Sequence, residues 1–485
     1  MAELHDLTAI EQLAALRTGE IGPVELVAHY LERIEHLNDS VGAFVEITAD
    51  AALARAAALG STPVGVLWGL PFGDKDLVAR AGVPTRFGSR LHSARPGHQE
   101  FVPDATADQA AVIDDAGGIS LGKTNTPEFG LTGYTETQIA PPARDPWNPA
   151  NGAGGSSGGA AAAVAAGLLP VAPASDGGGS IRIPAATVGV VGLKPSRGRV
   201  PFASGLDSPG GLSVAGPIAR TVADAALLLD VQAGGRAYSY ATRAPGGGPF
   251  VDAARSLDGT HSFGARAGAA ASARIGVTTV SPWDGDDDIV LDSAAARAVE
   301  VATALLADGG HGVDAFDWRP RGYAEMFTTI WRTSAARMNL SDAELELVEP
   351  ITAWLVREGR ALSGAQVLEA LAAATVFERD TIAAFAPFDA VMTPALALPP
   401  QPIGWFDAHD AAKSFSQQVR YAPYSSFVNV AGLPAIVVPV TLDASGHPVS
   451  VQLIGRPGGE TTIIALAAEL ERRVGALPRP ALWRE

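Results

Sequence analysis

Alternation of helix-like and strand-like stretches constrains this chain more than any other feature. Segment 63-PVGVLWGLPFGDKDLV-78 is rich in valine and leucine and punctuated by glycine, which fits a buried strand and its exit loop. Residues 106-TADQAAVIDDAGG-118 fit a helix closed by glycine, and 119-ISLGKTN-125 a strand and turn. The spacing then predicts a helix over 157–168, a strand in 189-GVVGLKP-195 and a helix over 221–232, capped by Thr221 with Asp224 three residues on. Strand-like segments return at 274-RIGVTTV-280, 388-FDAVMTPAL-396, 433-LPAIVVPV-440 and 449-VSVQLIG-455, with helical sequence at 293–307 and over most of 320–386. The expected class is α/β: one large domain whose mixed, mostly central β-sheet is covered by helices on both faces.

Residues 1–60 read as an N-terminal helical segment. Thr8-x-x-Glu11 is a capping box, and 22-GPVELVAHYLERIEHLN-38 has proline near its start and apolar residues at helical spacing. Residues 61–235 and 426–485 form the expected α/β core. Residues 236–425 form a more variable, mostly helical, substrate-side region of the same domain, entered through the loose tract 233-AGGRAYSYATRAPGGGPF-250. No internal repeat of fixed period is apparent.

An apolar content of 47% against 18% charged residues, over 485 residues, suits an extensive core and argues against disorder. The net charge of −17, with no basic run, disfavours nucleic acid and anionic membrane as partners. The chain has no cysteine, which excludes disulfides, thiolate nucleophiles and cysteine-ligated zinc. Its nine histidines form no HExxH, so a histidine metal site has little support. The start lacks a signal-peptide pattern, and the apolar run 160-AAAAVAAGLLPVAPA-174 is broken by Gly167 and Pro170. The expectation is a soluble, cytoplasmic protein, with a homodimer mildly preferred.

Two glycine-cradled serines lie close together, in 154-GGSSG-158 and 176-DGGGSIR-182. A serine hydroxyl attacks well only when something takes its proton. The first cluster satisfies G-x-S-x-G, which would make Ser156 a nucleophile-elbow serine with an acid and a histidine such as His447 downstream. Yet an elbow serine follows a buried strand, and here the proline-rich 141-PPARDPWNPANGAG-154 precedes it. The second cluster is the better nucleophile. Three glycines before Ser180 let backbone N–H groups crowd a bound carbonyl, and each such donor is commonly worth ~3–4 kcal/mol. Lys75, at the end of an apolar strand, is the candidate base. Burial lowers an ammonium's pKa, and holding it near neutrality corresponds to about 4 kcal/mol. Ser156 is then placed to relay the proton between Ser180 and Lys75.

These residues carry a resemblance. The segments 70-LPFGDKD-76, 122-GKTNTPEFG-130, 154-GGSSGGAAAAVAAG-167 and 176-DGGGSIRIPA-185 resemble the amidase signature family. So do 191-VGLKPSRGRVP-201, 216-GPIARTVADAALLLD-230, 432-GLPAIVVPV-440 and 450-SVQLIGRP-457, so that the likeness spans most of the chain. It implies a Ser–cisSer–Lys triad of Ser180, Ser156 and Lys75, and a cis peptide before Ser156. It also implies an oxyanion hole from the backbone N–H groups of Gly177, Gly178, Gly179 and Ser180. One departure is Gly177, where many members carry threonine or isoleucine. No metal or organic cofactor is implied.

Around the triad, Asp176 and Arg182 are expected to pair and anchor the loop, and Ser157 to cap the following helix. Thr126, Glu128 and Phe129 resemble a family segment that lines the site, and Phe129 reads equally as simple core. The aromatics Trp318, Phe327, Trp331, Trp405, Phe406 and Tyr424 read as packing rather than pocket. The expected reaction is hydrolysis of a small, neutral, hydrophobic amide, anilide or carbamate through a seryl acyl-enzyme. Arg144, Arg332 and Arg420 bear on the neutrality of that substrate if one of them enters the cleft. The alternatives are a glutaminase-type subunit of a tRNA-dependent amidotransferase and an inactive hydrolase-fold binding protein.

Overall fold

A computed structural model describes residues 3–94, 100–201, 208–234, 248–255 and 272–485. Most of the loose tract 233–250 lies outside the described residues.

Thirteen strands are formed among the described residues: β1 Phe44–Ile47, β2 Pro71–Lys75, β3 Ile119–Thr124, β4 Arg144–Asp145, β5 Asn148–Gly152, β6 Val171–Asp176, β7 Val191–Lys194, β8 Val214–Ala219, β9 Arg274–Val277, β10 Gly312–Ala315, β11 Ala390–Pro394, β12 Ala435–Leu442 and β13 Pro448–Gly455. Eight of them make one mixed sheet in the order β10-β9-β11-β13-β12-β7-β8-β6. Only β9 is paired in parallel there, with β10 and β11; the other neighbours are antiparallel. Helices flank this sheet, so the expected α/β class holds. The segment 236–425 contributes β9, β10 and β11 to it, as well as long helices such as Tyr323–Ala336 and Gly364–Phe385.

The strand that ends on Lys75 belongs elsewhere. β2 pairs in parallel with β3, and β3 in turn pairs antiparallel with β1, in a separate three-stranded sheet. Strand structure in 63–78 is confined to Pro71–Lys75.

Strands β6 and β8 were not expected from the sequence. Pro173 and Pro217 sit opposite each other in their ladder. Proline lacks an N–H to donate and so argues against a central strand. Pro173, however, lies on β6, the outermost strand of the sheet, and Pro217 on β8 lies beyond the Ile218–Ala219 stretch that pairs with β7.

Local helix signals fare better. Thr8 Oγ1 accepts from the Glu11 N–H at 3.2 Å while the Thr8 N–H donates to Glu11 at 2.7 Å. Thr221 accepts from the Asp224 N–H at 3.1 Å and opens the helix Val222–Ala233. A second, aromatic-rich core gathers Trp283, Trp318, Tyr323, Phe327, Phe377 and Phe427 beside the main one. No helix among the described residues is long and apolar enough to cross a membrane.

Candidate active site

Lys75 is the last residue of β2 and Asp176 the last of β6, with Ser180 four residues farther on. Two different sheets therefore deliver the base candidate and the nucleophile loop to one place. Ser156 comes from the turn between β5 and the helix Gly158–Ala165, and the Gly155–Ser156 peptide is cis.

Lys75 is 2% exposed, and its Nζ lies 2.8 Å from Ser156 Oγ and 3.2 Å from Ser175 Oγ. Burial lowers its pKa to about 7, against the opposing pull of Asp176. At neutral pH a substantial fraction of this amine is therefore uncharged. The Ser157 N–H donates to the Ser180 carbonyl at 3.2 Å, which ties the two serine clusters together through the backbone. The Ser180 hydroxyl bonds to none of the described residues and opens onto a cavity that it helps to line.

The nucleophile loop is built around Asp176 and Arg182, both buried. All five guanidinium N–H groups of Arg182 are engaged. Nε and Nη2 hold Asp176 at 2.9 Å each; Nη2 also reaches Asn429 at 2.6 Å, and Nη1 reaches the Ser425 carbonyl and Gln452 at 2.9 and 2.8 Å. Burial alone would raise the Asp176 pKa, but Arg182, with Lys194 and Asn429, outweighs it and holds the group at about 2. Asn429 adds a bond to Asp176 Oδ1 at 2.8 Å. The expected pairing and anchoring are thus both present.

That anchor corrects the expected oxyanion hole. The Gly179 N–H already donates to Asp176 Oδ1 at 2.7 Å, and the Ile181 N–H to Oδ2 at 3.2 Å. Gly179 is therefore a structural position and not a free donor. Its φ is +132°, and a Cβ there would sit 2.3 Å from Ser425 Oγ, so only glycine fits. The N–H groups of Gly177, Gly178 and Ser180 have no acceptor among the described residues. These three remain available to a bound oxygen.

Ser157 occupies the N-cap position of its helix, but its side chain does not cap it. The hydroxyl instead reaches the Ser175 carbonyl at 3.4 Å. Its φ and ψ of −94° and 42° lie outside the extended region usual for a capping serine.

Among the described residues, fifteen line the cavity at Ser180, none of them charged. Neither Thr126 nor Phe129 is among them. Thr126 is fully buried, and Phe129 packs against the cluster that includes Leu91 and Ala335. Their segment reaches the site a few residues later, where Leu131, Thr132 and Gly133 form one wall. Arg144, Arg332 and Arg420 stay out of the lining as well. Of the aromatics read as packing, Phe327 and Trp331 line the cavity, joined by Trp283, Phe415 and Tyr421, which sequence reasoning missed. No local signal marks them, because they reach the cavity from separate elements far apart in the chain.

His447 offers no support to the elbow reading. Its Nε2 lies 2.9 Å from Asp145 Oδ2 and its Nδ1 2.9 Å from the Pro448 carbonyl, with no bond to either serine.

A model of the family described as Amidase matches residues 25–464. The chain belongs to the amidase signature family. Members are hydrolases acting on amides, and this chain is similar along its whole length to several of them. It is 37% identical to a putative amidase, AmiB2, of Mycobacterium tuberculosis (strain ATCC 25618 / H37Rv), over 98% of each chain. It is 32% identical to an acylamidase of Rhodococcus erythropolis, over 96% of this chain and 95% of that one. Among solved structures it resembles 6-aminohexanoate cyclic dimer hydrolase with a TM-score of 0.88 and 28% identity, covering 99% of this chain and 100% of that one. As an amidase signature protein, the chain has a family context for its paired serine clusters.

Proposed function

We propose that this protein hydrolyses a neutral, hydrophobic amide, anilide or carbamate by covalent catalysis at Ser180. The observation that carries the reading is the buried Lys75–Ser156 contact of 2.8 Å beside a glycine loop with three free N–H groups. Ser180 Oγ attacks the carbonyl carbon; its proton moves to Ser156 Oγ as the Ser156 proton moves to neutral Lys75. The carbonyl π electrons go to the oxygen, which takes hydrogen bonds from the amides of Gly177, Gly178 and Ser180. Collapse of the tetrahedral intermediate breaks the C–N bond, and the proton returns along the same relay to the leaving nitrogen. An amide nitrogen leaves poorly as an anion, so this return is the step the relay serves most. Water then attacks the acyl-enzyme with the same groups acting in reverse.

A cavity with no charged lining residue among the described residues favours an uncharged substrate, because burying an unpaired carboxylate or ammonium is costly. This weighs against a glutaminase-type role, since free glutamine carries both charges. The test is labelling of Ser180 by a fluorophosphonate, located by peptide mapping, followed by a panel of primary amides, anilides, carbamates and glutamine. Failure of Ser180 to label would return the chain to the inactive binding-protein reading. Turnover of glutamine alone, and only with a partner protein, would favour the amidotransferase reading.

A further inference from the structure

The helix Tyr323–Ala336 lays two aromatic rings along the glycine loop. Phe327 and Trp331, one turn apart, stack with ring centroids 5.6 Å apart and planes 17° from parallel. A Cβ built on Gly178 would lie 3.4 Å from Phe327 Cζ, and one on Gly177 would lie 3.6 Å from Trp331 Cη2 and Cζ3. The rings thus lie against the face of the loop on which residues 177 and 178 would carry side chains. Both rings line the cavity onto which Ser180 opens.

The wall is held from behind. Trp283 meets Phe327 edge-on at 5.7 Å, and Tyr323 stacks on it at 5.7 Å. The Trp283 indole N–H and the Tyr323 hydroxyl both donate to Ser426 Oγ, at 3.2 and 2.8 Å. Phe327 is therefore fixed and 5% exposed, whereas Trp331, partly buried, is the outer ring of the stack. Gly177 is not in a positive-φ conformation, so glycine is not required there by the backbone. A Cβ there would meet the Trp331 ring in ordinary contact, so any side-chain atom beyond it crowds the ring.

We infer that Trp331 determines specificity: a flat, uncharged aromatic ring attached to the scissile amide lies against Trp331 in the cavity onto which Ser180 opens. This rests on the hydrolase reading of the Ser180 site and adds to it the residue that selects aryl substrates over aliphatic ones. A ring stacked on Trp331 gains a face-to-face contact that a puckered ring of the same size cannot make. Such a contact corresponds to about a two- to twelve-fold preference. A threonine at 177 carries γ atoms beyond the Cβ, toward ring carbons already only 3.6 Å from that Cβ. It therefore crowds the ring against which the substrate would stack.

The test compares kcat/KM for two pairs, benzamide against cyclohexanecarboxamide and acetanilide against N-cyclohexylacetamide. Each is measured for the native protein, Trp331→Leu and Gly177→Thr. Intrinsic reactivity cancels when the aromatic-to-aliphatic ratio of a variant is divided by that of the native protein. We expect this ratio to fall about two- to twelve-fold in both variants, in at least one pair. The responding pair tells whether the ring sits on the carbonyl or the nitrogen side. Ratios unchanged in both pairs, in variants that still label at Ser180, overturn the inference and leave the hydrolase reading standing. Should the variants not fold, or the native protein not label, Ser180→Ala with its intact wall binds the same pairs at equilibrium. Equal Kd values within each pair overturn the inference, and tighter binding of the aromatic member supports it.

Discussion

Lys75 Nζ rests 2.8 Å from Ser156 Oγ across a sequence separation of 81 residues, and both side chains are buried. Burial lowers the lysine pKa to about 7, so its uncharged fraction grows as pH rises through that value. kcat/KM for an uncharged amide should rise with pH from 5 to about 7 and level off above it. A profile flat between pH 5 and 9 would remove Lys75 from the role of base. Lys75→Ala and Ser180→Ala should each lower kcat by about a thousand-fold or more.

The same burial predicts a cost in stability. Lys75 ordinarily titrates near 10.5, so between about pH 7 and 10.5 the unfolded chain binds a proton that the folded one does not. The proton-binding difference makes stability rise with pH across that window. Lys75→Met removes this term and should leave Tm at pH 7 equal to or higher than native, with activity gone. The pH dependence should flatten only in part, because buried Lys194 is also lowered to about 7 and acts with the same sign. A clear fall in Tm for Lys75→Met would mean that the lysine stabilises the fold.

Arg182→Met leaves the Asp176 carboxylate buried and without its cation. Breaking such a pair from one side commonly costs about 3–5 kcal/mol. The urea midpoint should fall accordingly, and activity with it, since Asp176 holds the Gly179 and Ile181 amides. Adding Asp176→Asn to Arg182→Met should recover part of the loss by removing the stranded charge. A double variant no more stable than the single one would show that charge is not the issue.

Gly177 and Gly179 should respond differently to alanine. At Gly177 the new Cβ meets only ordinary contacts of 3.6 Å and beyond. At Gly179 it meets Ser425 Oγ at 2.3 Å and Ile183 at 2.7 Å, on a backbone with φ of +132°. Thermal melts should show Gly177→Ala close to native and Gly179→Ala destabilised by about 1–3 kcal/mol. Equal melting of the two would contradict the assignment of Gly179 as the structural member of the loop.

His447→Gln should not prevent fluorophosphonate labelling of Ser180. The imidazole is tied to Asp145 and to a backbone carbonyl, and its loss acts on the β12–β13 turn and not on the relay. Burial is the largest influence and works to lower the His447 pKa, but its hydrogen bond to Asp145, the Asp145 and Asp443 charges and the Pro448 carbonyl together raise it. Its contribution to stability is thus full below about pH 6.5 and fades as pH rises through the folded value. Abolished labelling in a folded His447→Gln protein would revive the elbow arrangement.

Lys75, Ser156, Ser180 and the glycine-rich turn were legible in the sequence because the chemistry of each is local. A lysine ending an apolar strand, alone readable as an ordinary charged loop, becomes a base candidate through its place ahead of the serine clusters and the family resemblance. Three consecutive glycines open a backbone. The same holds for the helix starts at Thr8 and Thr221, where cap and partner lie three residues apart. What packing decided is of another kind. Gly179 is engaged by Asp176, Ser157 turns to the Ser175 carbonyl, and Trp331 rather than Phe129 faces the cavity. These outcomes depend on groups brought together from distant parts of the chain, and on competition among several donors for one acceptor. A run of residue types states which groups are available; only the folded packing states which of them are already satisfied and which are left for a substrate.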